Sequence, residues 1–377
     1  MSFQLRGDYF VCPNPLGLDS YPICENNCAF CFIKQRESGW QRKKAEKGLH
    51  PIPTIEMEKV LKKAFNSEKE YQDPIVRALR YGLPVTIGRR SEPLCKSETK
   101  HRATRNCIKM LDDYHVPFLI ETREVRHALD YLNNVDVKAG INISMLFGDE
   151  SIHDRLEPGT STYDQRWKLI NDLNECSSAY VSLIAEPFIF TATDDFDVIR
   201  GYAQKAKEFS VKHVNFGELR VTGGVIAFSE RLKTAGVSLL KHFELIQENW
   251  LSVGREIFEI FRHYGVPISS PDWVNFNQYN SCYSCCGLDK FHSSHHFTFQ
   301  HALNVIHATG SIDWDTFVEQ NIFGESHIEK VRKIWNGDER YYTPADVEGI
   351  YRHGKDENGN AIYALVPKEK SLKEIFG

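Results

Sequence analysis

A chain of 377 residues, 41% of them hydrophobic, has apolar material for one large α/β domain with appendages or for two domains. Its 46 basic and 51 acidic residues leave a formal net charge of −5, which argues against wholesale non-specific nucleic-acid binding while leaving room for a local basic face. Ten cysteines fall short of disulfide-scaffold density, the first eight residues hold no apolar signal core, and no run approaches the roughly eighteen residues of a membrane span, so a reducing cytoplasm and no membrane partner are expected.

Residues 8–11, Asp-Tyr-Phe-Val, read as a short first strand, ended by Cys12-Pro13-Asn14-Pro15. The segment Cys24-Glu-Asn-Asn-Cys28-Ala-Phe-Cys31 then packs three cysteines into eight residues. Soft thiolates at this spacing converge on one metal centre, zinc or an iron–sulfur cluster. A zinc site wants a fourth cysteine or histidine, and Phe32, Ile33, Lys34, Gln35 and Arg36 supply none. Three cysteines on a four-iron cluster leave one iron open to a small molecule. The basic run 41–47 that follows is either a solvated face or part of the mouth of this site.

Apolar residues at 57, 60, 61, 64 and 65 predict a helix over 54–65 with Thr54 as its cap. From residue 83 the chain alternates. Strands are predicted at 84–87, 117–121, 141–146, 180–184 and 211–219, with helices at 99–114, 123–132, 162–174 and 196–209 between them. Such alternation implies right-handed crossovers and a parallel sheet, whose chemistry gathers at the carboxyl ends of the strands. Polar residues cluster there: Arg89, Arg90, Ser91 and Glu92 after the first of these strands, Glu121, Thr122 and Arg123 after the second, then Ser144, Glu186 and Arg220. Beyond Arg220 the pattern loosens into mixed helix at 229–249, a buried helical face at 251–264 and a closing strand at 265–268.

A second constellation, Cys282-Tyr283-Ser284-Cys285-Cys286, precedes His292, His295 and His296. It reads as an auxiliary iron–sulfur cluster or a zinc site, with a fourth ligand from Cys12, Asp289 or a histidine, as buried or substrate-proximal thiols, or as a redox pair. Residues 350–366 form two alternating segments around Asp-Glu-Asn-Gly, a β-hairpin. There Arg352, His353 and Lys355 with Tyr351 and Tyr363 are placed to grip a nucleic-acid backbone and stack a flipped base, or the hairpin is a lid with ordinary aromatic packing.

The C-x3-C-x2-C spacing with aromatic Phe30 before its last cysteine resembles the signature of the radical S-adenosylmethionine superfamily. Leu156-Glu157-Pro158-Gly159-Thr160-Ser161, with Ser144 before it and Arg166 after, is similar to the corresponding stretch of spore photoproduct lyases and the DNA-repair-photolyase-like branch. Residues 88–93 with Glu98 and Thr104-Arg105, and Glu121-Thr122-Arg123, resemble two further blocks of that family, so the likeness covers roughly residues 8–220. The resemblance implies a partial parallel (β/α)6-type barrel over residues 1–270, with a cysteine- and aromatic-rich extension over 271–377 that ends in the hairpin. It implies that Cys24, Cys28 and Cys31 bind a [4Fe-4S] cluster whose open iron takes S-adenosylmethionine, and that Ser91, Arg123, Ser144, Glu186 and Arg220 hold that cofactor. A small reductant such as flavodoxin or ferredoxin would supply the electron, and a 5′-deoxyadenosyl radical would take hydrogen from the substrate.

One departure stands out. Spore photoproduct lyases carry a hydrogen-donating cysteine where this chain has Arg89. Cys95, Cys285 and Tyr283 are the candidate replacements, and Arg89, Arg90, Arg352, Lys355 and Tyr363 the candidate substrate contacts. The expected substrate is a nucleobase in DNA; a free metabolite or a peptide is the alternative, and a non-catalytic zinc-stabilised nucleic-acid-binding protein the reading from another class.

Overall fold

The computed structural model describes residues 3–5, 9–36, 49–69, 72–221, 225–282, 284–292, 296–322, 325–339 and 341–366. Eight strands form one sheet in chain order: β1 Gln4–Leu5, β2 Leu16–Leu18, β3 Val85–Ile87, β4 Phe118–Thr122, β5 Ala139–Ser144, β6 Tyr180–Phe188, β7 His213–Glu218 and β8 Ile268–Ser269. Only β1 runs antiparallel to its neighbour; every later pair is parallel. When each crossover adds the next strand on the same side with the same hand, all the helices fall on one face. The other face curls in on itself, and the sheet becomes an open barrel.

Side-chain alternation then decides which residues see the interior. In β5, Ile141 and Ile143 join the main apolar core, whereas Asn142 accepts a hydrogen bond from Ser182 of β6 and Ser144 faces the open end. Asn14 Nδ2 donates to Thr86 of β3 at 2.8 Å, and Asn215 of β7 donates to Glu186 of β6 at 2.7 Å. A polar lining buried inside a parallel sheet has no value as packing, since each group must find a partner to offset its desolvation.

The helix starts obey local rules. Thr162 and Gln165 form a capping box at the helix Tyr163–Cys176, and Asp195 caps Phe196–Glu208. The sheet-and-helix alternation expected over 83–219 is present, with instructive differences. The predicted helix 99–114 is broken at Arg102, whose φ of 52° separates Glu98–His101 from Ala103–Asp113. The predicted helix 123–132 begins only at Ala128, because residues 123–127 are used by the loop at the carboxyl end of β4. Helices Pro74–Arg80 and Glu150–Leu156 have no counterpart in the sequence reading. The expected first strand is absent: Tyr9–Val11 make a turn, and Asp8 lies outside the described residues. Tyr9 and Phe10 are instead buried among Phe299, Tyr341 and His327, so their apolar character serves aromatic packing rather than a sheet.

The region read as mixed helix, 229–249, divides between a helix Val225–Thr234 and the start of a 26-residue helix, Leu239–Tyr264, which also takes in the predicted buried face and is stopped by Gly265 at φ 67°. Beyond it, strands β9 Ser311–Ile312, β10 Ile350–Lys355 and β11 Ala361–Leu365 form a second sheet in the order β10, β11, β9. This contains the expected hairpin. Among the described residues no helix is long and apolar enough to cross a membrane.

His242 on the long helix is fully buried, and its Nδ1 accepts the backbone N–H of Phe190 at 3.1 Å. Burial pulls its pKa down to about 4 from an ordinary 6.5. The unfolded chain therefore takes up a proton near pH 6.5 that the folded chain refuses until about pH 4, and stability is lost as pH falls through that interval. Urea unfolding of wild type between pH 7 and pH 4.5 is expected to show a steeper loss than His242→Gln, which keeps an acceptor but does not titrate; equal slopes would assign the acid sensitivity to other groups.

Candidate active site

One cleft opens at the carboxyl ends of the parallel strands, with about 950 Å³ of space counting its open mouth. Its walls come from the cysteine loop (Cys24, Asn26, Cys28, Phe30, Cys31), the loop after β3 (Arg89 to Glu92), the end of β4 (Glu121 to Arg123), Ser144, Glu186 and the Glu218 to Arg220 end of β7. Residues more than a hundred positions apart in the chain thus share one cavity.

The cysteine loop is held from three directions. Ala29 N–H donates to Leu156 O at 2.8 Å, Cys31 N–H closes a turn on Cys28 O at 3.2 Å, and Arg231 donates to Cys31 O at 3.0 Å. Its thiols are free cysteines, none in a disulfide. Burial, with the nearby Glu92 carboxylate, pushes the Cys24 thiol up to about 12, and burial also raises Cys28. Thiols so desolvated stay protonated unless a cation takes the proton's place.

Opposite the cysteines lies a buried ion triad. Glu157 is fully buried; its Oε1 accepts from Arg123 Nε at 2.7 Å and its Oε2 from Arg166 Nη1 at 2.7 Å. Arg166, itself without exposure, also donates to Ser144 O and to Thr160 Oγ1, both at 2.6 Å. Burial alone would raise the Glu157 carboxyl, yet Arg166 and then Arg123 outweigh it and hold it below the ordinary carboxylate range. Arg123 keeps a quarter of its side chain exposed, stacks its guanidinium on Phe30 at 5.3 Å and reaches Glu186 O at 3.4 Å. One carboxylate therefore orients the cysteine loop's aromatic, the end of β5 and a cleft-facing cation together.

The loop after β3 is equally constrained. Gly88 has φ 98°, and a Cβ there would stand 2.5 Å from Glu121 O. Asp19 accepts the N–H groups of Arg90 and Ser91 at 2.8 and 3.1 Å, so Ser91 is presented by a loop pinned to the end of β2. Glu92 is buried, accepts from Thr122 Oγ1 and from the N–H of Arg123, and is pushed by burial to about 7. Glu98, buried, gathers Tyr21 Oη, Tyr131 Oη and the N–H groups of Thr104 and Arg105. The motif residues Glu98 and Thr104 hold the frame of this loop and do not line the cleft.

The sequence-derived candidates divide sharply. Cys24, Cys28, Cys31, Ser91, Arg123, Ser144, Glu186, Arg220, Arg89 and Arg90 all line the cleft. Arg89, however, lies across Gly17, bonded to the carbonyls of Asn14 and Pro15, so much of its donor capacity is spent on the fold. Cys95 does not reach the cleft: it has no exposure, sits in a separate apolar cluster with Tyr21, Ile23, Leu49 and Ala103, and its thiol is raised by burial. Tyr283 lies outside the described residues. Cys285 and Cys286 are absent from the cleft lining; Cys286 packs on Leu119, Tyr180, Leu288 and Phe291, at the amino ends of β4 and β6. The segment after them plugs that end, and Gly287 serves there twice over: its φ is 67°, and a Cβ would strike Tyr180 Oη and His213. Of the candidate hydrogen donors, Cys95 and Cys285 thus both lie outside the lining of the cleft. Tyr363 is also corrected: it has no exposure, donates to Trp335 O and meets the Trp335 ring edge-on at 4.8 Å, leaving no face for a base. Arg352 and Lys355 are on the exposed strand of the same hairpin.

Sequence reasoning passed over Glu157 and Arg166 as a charged pair, although both lay in the Glu-Pro-Gly-Thr block, because nine residues of separation show no contact by themselves. It also passed over Asn26. Replacing Glu157 by Gln leaves the buried Arg166 and the partly exposed Arg123 without their shared counterion. Glu157→Gln is expected to cost about 3–5 kcal/mol in urea unfolding; a loss under 1 kcal/mol would mean that the arginines are compensated elsewhere.

No protein-family model matches the sequence, and no curated protein does. Among solved structures the chain is similar to Streptococcus suis SuiB bound to precursor peptide SuiA, at 18% identity and a TM-score of 0.39 over 56% of this chain and 40% of that chain. It is similar to SuiB bound to S-adenosylmethionine at 16% identity and a TM-score of 0.45, over 71% of this chain and 53% of that one. It is also similar to a mutant spore photoproduct lyase with bound AdoMet and dinucleoside spore photoproduct, at 12% identity and a TM-score of 0.48, over 69% and 77%. The match thus spans about half or less of the SuiB chain.

Proposed function

We propose that the protein is a radical S-adenosylmethionine enzyme in which Cys24, Cys28 and Cys31 hold a [4Fe-4S] cluster. The observation that carries this reading is the composition of the cleft: three thiols on one wall, facing Arg123, Ser144 and Glu186 on the strand ends, with no fourth cysteine or histidine among its described lining residues. A structural zinc needs four ligands, whereas a four-iron cluster on three cysteines keeps an iron for S-adenosylmethionine. The donor set therefore fits the cluster.

With both cofactors bound, their chemistry would supply a 5′-deoxyadenosyl radical that removes a hydrogen atom from the substrate. The chain's own task is binding, orientation and exclusion of water. Arg123, fixed through Nε by Glu157, is left with donors at its outer edge for a carboxylate. Ser91 is offered by the Asp19-pinned loop, and Ser144 and Glu186 stand beside Arg123 for the hydroxyl and amino groups of the cofactor. Residues 1–270 form the barrel in this reading and 271–377 the extension, with a flavodoxin- or ferredoxin-like reductant as electron source.

For the substrate we infer a nucleobase in DNA, on the exposed Arg90 at the cleft mouth and the exposed Arg352 and Lys355 of the hairpin. With Tyr363 enclosed, the hairpin contributes the charges of Arg352 and Lys355 and the partly exposed ring of Tyr351. A peptide or free metabolite is the second reading, favoured by the carboxylates of Glu121, Glu186 and Glu218 that alternate with arginines around the mouth and suit an amide or amino group better than a phosphate backbone.

Anaerobic reconstitution is expected to load about four irons per chain, with 5′-deoxyadenosine formed on adding dithionite and S-adenosylmethionine. The triple variant Cys24→Ala/Cys28→Ala/Cys31→Ala is expected to lose both. Stoichiometric zinc without 5′-deoxyadenosine would overturn the enzyme reading. For the substrate, DNA affinity is expected to fall steeply with salt and to weaken on Arg352→Gln/Lys355→Gln; no binding at low salt excludes DNA in favour of the second reading.

A further inference from the structure

Asn26 lies between Cys24 and Cys28, lines the cleft and is 7% exposed. It stands two positions from each of these cysteines, on the loop that presents both thiols to the cleft. Its side-chain Nδ2, buried, has no hydrogen-bond partner within the protein.

This stands apart from its surroundings. Thr122 donates to Glu92, Arg123 to Glu157, and Ser91 N–H to Asp19, so polar groups of the same cleft are matched to acceptors on the protein. An amide group with two donors, desolvated and left unmatched, is costly to keep unless something that binds in the cleft accepts from it. Nearest along the chain on either side are the sulfurs of a three-cysteine cluster site. The opposite amide orientation would aim Oδ1 at sulfur lone pairs and repel them, so a loaded site selects the donor orientation.

We propose that Asn26 Nδ2 donates a hydrogen bond to a sulfur of the cluster, inorganic or cysteinyl, and so sets the cluster's reduction potential. The inference rests on the proposed cluster and adds a positioning residue to it. Reduction adds negative charge to the sulfurs, a hydrogen bond to them strengthens, and the reduced form gains more than the oxidised one. Asn26 therefore raises the potential and makes the electron easier to accept from a mild donor.

The test is a redox titration of the reconstituted enzyme, followed by the electron paramagnetic resonance of the reduced cluster, on wild type and Asn26→Leu, which keeps the side chain's shape without its donors. At fixed solution potential the ratio of reduced to oxidised cluster in Asn26→Leu is expected to fall about tenfold, a downward shift of roughly 59 mV for a one-electron couple. Wild type carrying asparagine labelled with 15N in the side-chain amide is expected to show 15N hyperfine coupling to the reduced cluster, a readout that needs no variant. An unchanged midpoint in a fully loaded Asn26→Leu, or a labelled wild type without coupling, overturns the inference while the cluster itself stands. Absence of iron from wild type would instead fail the proposed function.

Discussion

Two arginines and one carboxylate, all drawn into the interior, set the terms for the site. The Glu157 carboxylate has no exposure, and neither has Arg166. Removing such charges from water is expensive, and their attraction offsets the cost only when geometry is good and the remaining donors are used. Arg166 meets most of that condition by also bonding Ser144 O and Thr160 Oγ1, although its Nε is left without a partner among the described residues. Arg123 meets it by leaving part of its guanidinium in the cleft. The requirement to satisfy a buried carboxylate thus produces a cation of fixed orientation beside the cysteine loop, where a carboxylate-bearing cofactor would need one.

The barrel makes this arrangement affordable in space. Strands added in chain order bring the ends of β3, β4, β5, β6 and β7 to one rim, and each rim loop is tied to a neighbour: Asp19 to Ser91, Thr122 to Glu92, Arg123 to Glu157. The opposite end is closed by apolar packing of Leu288 and Phe291 on Leu119 and Tyr180. Polar chemistry at one end and apolar closure at the other give the interior a single open direction. The C-terminal extension spends many of its aromatics on its own core, with Trp335 enclosed by Phe299, Trp314, Phe317 and Tyr363, while Phe299 and Tyr341 also meet Phe10.

Much of the site was legible as chemistry before any geometry. The cysteine spacing is local, and a loop of eight residues can present three thiols without help from the rest of the chain. The strand-end residues Ser91, Arg123, Ser144 and Glu186 were legible for a different reason: alternation fixes which end of each strand faces the helix that follows, and so which loop reaches the rim. Cys95, Cys285 and Tyr363 were not legible as lying away from the cleft, because burial and the end of the barrel a residue occupies depend on contacts across the fold. A thiol six residues from Arg89 turns inward to Tyr21 and Ile23, and a hairpin tyrosine turns down onto Trp335.

The sequence by itself determined the parallel α/β architecture, the cysteine loop and the rim that faces it, since hydrophobic period and residue spacing act over short stretches of chain. Tertiary structure alone decided that Glu157 would join Arg123 to Arg166, that the late cysteines would lie toward the closed end and that Asn26 would face the cleft with an unmatched donor. Those outcomes follow from desolvation and pairing between groups far apart in the chain, and such terms take a value only once the barrel has closed around them.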